Sequence, residues 1–347
     1  MAQQTHTSLF FIQEHKGRTP MHGGVGNTDI ESILLTKGFQ PILFPYHESF
    51  SIKAKIFRLI HLFRLLLSVP SNAIVIFQFP LYARMNKFFL KWAGLKKKLT
   101  VICLIADIDG LKSNNPELLK TERTALLDFR FFIIHNNTMQ HWLKEFIPDA
   151  KTARIEFFDF LAESFKGERK KSFEIAFAGN LSKSMFLEKL DQLVGNSNQI
   201  IMNVYGEGVT AEMQRQQTIR YKGIVEPALL PCTIDGSFGL VWDGDGSFDL
   251  QDSFANYMQY ISHHKLSLYI LSGLPIIVYA KAGSAELIEK YNIGITINSL
   301  GEIKEKLDAV SEKSYLQMQE NLRPLAQKIM SGRCLSEAIS TILSEIN

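Results

Sequence analysis

Two Asp-x-Asp pairs are the clearest residues able to do chemistry: Asp107-Ile108-Asp109, after the apolar run Leu99–Ile105, and Asp243-Gly244-Asp245, after Leu240-Val241-Trp242. Carboxylates two apart on an extended chain project to one side and can bridge a divalent ion to a diphosphate. Aspartate and glycine also close strands with turns, which is the simpler reading. A role without metal, Asp107 or Asp109 as a general base facing a cleft, stays open. A second candidate is His22-Gly23-Gly24-Val25-Gly26-Asn27-Thr28-Asp29, which leads into an apolar-periodic helix. Glycines let a backbone approach a ligand, and a helix N-terminus offers free N–H groups, so Gly23, Gly24 and Gly26 fit an anion- or sugar-binding loop with His22 as another candidate base. The competing reading is a turn capped by Asn27, Thr28 or Asp29. The spacing matches neither the dinucleotide fingerprint nor the P-loop. Third comes Ile261-Ser262-His263-His264-Lys265, opening a short helix that ends at Gly273-Leu274-Pro275. A lysine there adds its charge to the helix dipole, which suits a nucleoside diphosphate leaving group. A solvent-facing lysine is the plain alternative. Neighbouring histidines point apart on a helix, which weighs against a metal site at His263 and His264.

Short runs rich in Ile, Val and Phe alternate with longer helical stretches, the pattern of parallel sheets with helical crossovers, so the class is α/β throughout. The first half predicts strands at Ser8–Gln13, Gln40–Phe44, Ala73–Phe77, Leu99–Ile105 and Phe131–His135, with helices near Asn27–Lys37, Ser51–Ser68, Met85–Ala93 and Asn137–Phe146. The second predicts strands at Phe173–Ala178, Ile200–Val204, Ile219–Lys222, Gly239–Val241, Ile276–Tyr279 and Ile295–Ile297. Between them Ala162–Ser172, with Lys166, Glu168, Arg169, Lys170 and Lys171, reads as a solvated linker. This predicts domains at 1–165 and 166–325, and a C-terminal helix at 326–347 packing across them. Ligands of such sheets bind at the carboxyl ends of the strands, in the cleft between the domains.

At 347 residues with 46% hydrophobic content the chain can bury two cores, which excludes disorder as its main state. Its 38 Lys+Arg nearly balance 35 Asp+Glu, and no basic segment with interleaved aromatics marks a nucleic-acid site. Cys103, Cys232 and Cys334 are far apart and lack zinc-like spacing, which fits a reducing compartment. The first apolar run, Leu9–Ile12, is too short for a signal peptide core, and no run reaches a membrane span, so a cytoplasmic protein is expected. The basic, apolar segment Ser51–Val69 fits either a sheet-covering helix or one lying on an anionic membrane, which would place the chain at the inner membrane face.

Several segments in one order resemble a known group. Phe177-Ala178-Gly179-Asn180-Leu181-Ser182-Lys183, Phe238-Gly239-Leu240-Val241-Trp242-Asp243-Gly244-Asp245, His264-Lys265-Leu266-Ser267-Leu268-Tyr269 and Ile293-Gly294 look like the bacterial β-1,6-galactofuranosyltransferases of O-antigen synthesis. They also resemble the related glucosyltransferases that extend GlcNAc on serine-rich adhesins. Gln78-Phe79-Pro80, Ile105–Asp109, His135-Asn136 and Phe158-Asp159-Phe160 extend the similarity nearly end to end. The resemblance implies a GT-B glycosyltransferase: two Rossmann-like domains facing across a cleft, a UDP-sugar donor held mainly by the C-terminal one, and a saccharide acceptor, lipid-linked or free, at the N-terminal one. It implies inversion, no metal ion and no further cofactor. By motif position Lys183, Tyr221 and Lys265 would contact nucleotide and diphosphate, with Ser262 and His264 beside them and the Gly23–Asp29 loop bordering donor and acceptor. Two departures stand out. The relatives' His-Asp-Ile is Ala106-Asp107-Ile108 here, and their Asn-Asn-Pro-His-Lys is Ile261-Ser262-His263-His264-Lys265. A nucleotide-sugar epimerase on the same fold and a catalytically silent partner subunit are the alternatives, and homo-oligomerisation stays open.

Overall fold

The computed structural model describes residues 8–15, 24–44, 51–195, 199–246 and 252–346. The first half runs β1 (Leu9–Gln13), α1 (Val25–Thr36), β2 (Gln40–Leu43), α2 (Ile52–Ser68), β3 (Ile74–Phe79), α3 (Arg84–Lys97), β4 (Thr100–Ile105), α4 (Asp109–Lys112), α5 (Pro116–Leu126), β5 (Phe131–Ile134), α6 (Asn137–Lys144) and β6 (Lys151–Arg154). The second runs β7 (Glu174–Ala178), α7 (Leu190–Leu193), β8 (Ile201–Tyr205), α8 (Ala211–Arg215), β9 (Ile219–Gly223), α9 (Leu230–Thr233), β10 (Phe238–Val241), α10 (Ser253–Tyr257), α11 (His264–Leu271), β11 (Ile276–Tyr279), α12 (Ala285–Tyr291), β12 (Gly294–Ile297), α13 (Ile303–Ala309), α14 (Glu312–Met330) and α15 (Arg333–Ser344).

Each half builds a six-stranded parallel sheet, ordered β2-β1-β3-β4-β5-β6 and β12-β11-β10-β7-β8-β9. Helices cover both faces, so central strands are mostly apolar; every residue of β3, Ile-Val-Ile-Phe-Gln-Phe, is buried. One core fills the face of the first sheet beneath α2 and α3, with Phe10, Val75, Phe77, Phe89 and Cys103. The other runs continuously from Phe11, Ile33 and Ile76 through Phe158 and Leu335 into the second sheet. In each sheet the strand order reverses once, between β1 and β3 and between β7 and β10. At such a reversal the crossovers leave on opposite faces and open a crevice at the strand ends.

Several details differ from the sequence expectation. Helix α1 starts at Val25 rather than Asn27, with Gly24 at its N-cap. None of Asn27, Thr28 or Asp29 caps it: the Asp29 carboxylate accepts the Leu161 amide at 3.0 Å instead. Edge strand β6 has no apolar run and is defined by pairing with β5; α5, which begins at the Asn115-Pro116 cap, was not anticipated either. The polar stretch 162–172 is pinned to the second half, where the Phe165 amide donates to Leu271 O at 2.8 Å and Arg169 lies 3.9 Å over the Phe165 ring. The tail is two helices, α14 against α11 and α15 returning to β5 and β6. They turn at Gly332, whose φ of +71° suits glycine and where a Cβ would come 2.9 Å from Ile33. The buried Asp159 carboxylate then receives the amides of Cys334 and Leu335 at the start of α15, at 3.0 and 2.8 Å. Among the described residues no helix is long and apolar enough to cross a membrane.

Candidate functional site

The second sheet's reversal point carries a corner of charge. Two residues past β10, Asp243 receives Lys265 Nζ at 2.6 Å and lies 3.3 Å from His263 Nε2. Lys265, on the first turn of α11, also donates to Trp242 O at 2.9 Å and sits 4.3 Å over the Phe177 ring. Burial alone would raise the Asp243 carboxyl, but the Lys265 cation and the His263 hydrogen bond outweigh it and hold the group well below the usual carboxylate range. The corner is thus an ion pair in the resting protein, ready-made rather than assembled on binding. Glycines line it because nothing larger fits: a Cβ on Gly179 (φ +151°) would come 3.1 Å from Lys265 Cε, and one on Gly206 (φ +133°) would reach 1.9 Å from Gly179 O. Tyr221, on β9, braces this loop by donating its hydroxyl to Gly206 O at 2.9 Å.

Lys183 follows β7 and the Asn180-capped turn, half-buried, with its ammonium 5.9 Å from the Phe254 ring. Burial and then the nearby Lys112 cation push its pKa down, while Asp107 and Asp243 pull up. Around Lys183 the nearby charges are the cations Lys112 and Lys265 and the carboxylates Asp107 and Asp243, so the lysine's own charge is not cancelled by them. A lysine depressed by neighbouring cations is relieved by an anion, and a helix N-terminus beside it adds to the attraction.

The first sheet contributes a small cavity of about 90 Å³ at its own reversal point, walled by His15, Asn27, Gln78, Asp107, Phe158 and His264 among others. Gln78 is 6% exposed, and its Oε1 has no hydrogen-bond partner among the described residues although its Nε2 donates to Asn27 O at 3.2 Å. An acceptor left unpaired at such a cavity wall costs stability unless a ligand or water satisfies it. Asp107 accepts the Tyr257 hydroxyl at 2.8 Å on one oxygen and Lys112 at 2.5 Å on the other. His264 stacks on Phe158, ring centroids 4.4 Å apart. Its surface is open to solvent, yet protein crowds the ring from the other sides and pushes its pKa down to about 4, with Asp107 pulling up. The direction of that shift keeps the imidazole neutral near pH 7. Buried Gly26 meets this ring: a Cβ there would lie 1.9 Å from His264 Cε1.

Of the expected site residues, the structure brings Lys183, Lys265 and Asp107 together and sets His264 and Gly26 beside Asp107, with Gly24 two residues earlier. Tyr221 braces the loop behind them. Ser262 is buried beneath the site, its amide donating to His135 Nδ1 at 3.1 Å. Asp109 turns away: it accepts the Tyr82 hydroxyl at 3.1 Å and borders a larger, mostly apolar cavity of about 1020 Å³ between α3 and α5. That cavity shares Phe79, Pro80 and Tyr82 with the small one but lacks its Asp107, His264 and unpaired Gln78. His22 and Gly23 lie outside the described residues. Among those described, no group of three or more His, Cys, Asp or Glu is placed to hold a metal ion. Sequence reasoning did not single out Lys112, Tyr257 or His135, whose partners lie up to 150 residues away. The Gln78 and His135 segments entered only through resemblance.

Two doubly wound parallel sheets meeting at their strand ends, with a cationic corner facing a polar cavity, have the GT-B architecture. The chain belongs to the glucosyltransferase 3-like family: the family's N-terminal domain matches residues 11–146 and its C-terminal domain residues 175–342. It is 27% identical over 289 residues to the β-1,6-galactofuranosyltransferase WbbI of Escherichia coli K12, covering 81% of this chain and 82% of that one. It is 27% identical over 170 residues to glucosyltransferase 3 of Streptococcus parasanguinis, 48% of this chain and 47% of the relative. In fold it matches HepE of Anabaena, solved with UDP and glucose, with a TM-score of 0.62 at 12% identity, covering 98% of this chain and 100% of the other.

Proposed function

We propose that the enzyme moves a hexosyl unit, galactofuranosyl, galactosyl or glucosyl, from a UDP-sugar to a saccharide hydroxyl, with inversion and without a metal ion, in cell-surface polysaccharide or glycoconjugate synthesis. The observation that carries this reading is the ready-made corner of Lys183, Lys265 and the α11 N-terminus around a glycine cradle, opposite a cavity at whose wall the buried Gln78 Oε1 has no partner among the described residues. The relatives' names support the sugar range, and the UDP and glucose of the HepE structure support the donor class. Metal independence is supported by the carboxylates themselves: Asp243 is engaged by Lys265 and Asp107 by Lys112 and Tyr257.

The step is a single displacement. The acceptor hydroxyl oxygen bonds to the anomeric carbon while the bond from that carbon to the diphosphate breaks, and its electron pair leaves with UDP. Lys183, Lys265 and the α11 amides stabilise the departing charge. Neutral His264 takes the acceptor proton, and Asp107 stabilises the imidazolium that forms. Gln78 Oε1 accepts a hydroxyl of the bound sugar. Calorimetry with UDP in excess EDTA, followed by a screen of UDP-sugars with and without saccharide acceptors, tests the reading. Binding that survives EDTA and turnover that needs an acceptor support it. Binding abolished by EDTA overturns the metal-free corner, acceptor-independent conversion of the sugar makes the protein an epimerase, and absent binding and turnover make it a silent subunit.

A further inference from the structure

Helix α2 has two apolar faces, and only one is used by the fold. On the inner side Leu62 is buried, Leu65 and Leu66 are half-buried, and His61 Nε2 lies 3.0 Å from Leu43 O. On the outer side Ile52, Ile56, Leu59, Ile60, Phe63 and Leu67 recur at steps of one, three and four, and each is 47 to 78% exposed. At 100° per residue they make a stripe about 100° wide. Lys53 and Arg64 border it on one edge and Lys55 on the other. The packed neighbour α3 adds exposed Phe88 and Trp92 beside Arg84, Lys87 and Lys91. Together the two helices carry nine Lys and Arg and no Asp or Glu; without them the chain's net charge of +3 would be −6.

We propose that the α2–α3 face is a docking surface for an anionic phospholipid bilayer, with the outer stripe of α2 among the acyl chains and its flanking cations among the phosphates. An apolar stripe edged by lysine and arginine is what an interfacial helix requires, and each cation near an anionic surface strengthens binding several-fold. A second copy of this chain fits less well, because a two-fold pairing through this face would set Lys53, Lys55, Arg64, Arg84, Lys87 and Lys91 against the same six cations. The surface does not depend on which sugar the enzyme moves.

Vesicle flotation of the full chain tests this, using phosphatidylcholine alone and phosphatidylcholine with about a third phosphatidylglycerol. The wild type should favour the anionic vesicles at least ten-fold. Replacing Lys53, Lys55 and Arg64 together by Ser should cut that binding by about five-fold per charge removed. Phe63→Glu with Leu67→Glu should abolish it on both vesicles. Far-ultraviolet circular dichroism and UDP calorimetry, unchanged in both variants, show that fold and nucleotide corner are intact. No binding of the wild type to anionic vesicles, or equal binding by the serine variant, overturns the proposal. So does a dimer, seen by analytical ultracentrifugation without lipid, that the glutamate variant dissociates.

Discussion

Asp107 and Asp243 stand at matching places, each two residues past the end of an inner strand, each paired to a lysine and to at least one further donor. They are nevertheless built for different ends. Asp243 takes its partners, Lys265, His263 and Ser184, all from its own half, in a site shielded enough that the lysine holds it ionised. Asp107 takes Lys112 from its own half and the Tyr257 hydroxyl from the other, 150 positions away. The same Tyr257 oxygen accepts the Ile108 amide at 2.8 Å, so one hydroxyl ties both backbone and side chain of the first corner to the second half. A strand-end aspartate can thus fix a cation for a leaving group or register two sheets against each other, and the origin of its partners decides which.

The largest effect should come from the locally built corner. Lys265→Ala leaves Asp243 buried without its cation and removes charge from the diphosphate; turnover should fall about 10³-fold or more and UDP affinity at least about ten-fold. Adding Asp243→Ala should recover thermal stability without recovering UDP binding. Near-normal UDP binding by Lys265→Ala would show that the corner is structural only.

The joint should respond to pH instead. His135 is 2% exposed, its Nε2 2.8 Å from Ile105 O while Nδ1 accepts the Ser262 amide, so it must be neutral; burial pushes its pKa down to about 4. With an unfolded value near 6.5, the unfolded chain binds the extra proton between pH 6.5 and about 4. Stability from this group is therefore full above 6.5 and falls with falling pH, by about 3 kcal/mol at pH 4. Asp29 and Asp159, pushed up to about 6 by burial, act in the opposite sense over an overlapping range. The His135 part is thus read as the stability gap between wild type and His135→Gln, followed by urea unfolding. That gap should shrink from pH 7 to pH 4; a constant gap would remove His135 from the joint.

Gly26→Ala separates cavity from corner. Its methyl would enter the His264 ring position, so kcat should fall about 10- to 100-fold while the UDP Kd stays within about two-fold, by steady-state kinetics and calorimetry. The smallest effect is expected of Tyr257→Phe, which deletes the hydroxyl between Asp107 and Ile108 and should cost about 1.5 to 3 kcal/mol of stability. Acceptor KM should rise more than donor KM. An equal rise in both would mean that the two corners are coupled and the contrast between them is too sharp.

Much of this was legible in the sequence. Buried parallel strands are mostly apolar on both faces, so their runs stand out whatever surrounds them, and all eleven expected strands coincide in order with observed ones from β1 to β12, β6 alone being unforeseen. Lys265 and the glycine loop were legible because a helix start and a cluster of glycines are local features, whereas Lys183 entered only through resemblance. Asp109 was over-read: its spacing equals that of Asp107, but α4 begins there and turns the side chain toward Tyr82. The tail, expected as one C-terminal helix at 326–347, is instead the end of α14 and all of α15, because the turn at Gly332 sends α15 back to the first sheet.

The residue pattern by itself determined the α/β class, the two sheets and the positions where cations and glycines cluster, because those depend on neighbours three, four or a few tens of residues away. Only the tertiary structure decided which carboxylate would keep its partners within one half and which would join the halves, that Gln78 Oε1 would find no partner among the described residues, and that α2 would turn one apolar stripe inward and leave the other outside. The physical reason is range: hydrophobic period and helix ends are written along the chain, whereas desolvation and hydrogen-bond satisfaction depend on whatever segment arrives from far away in sequence.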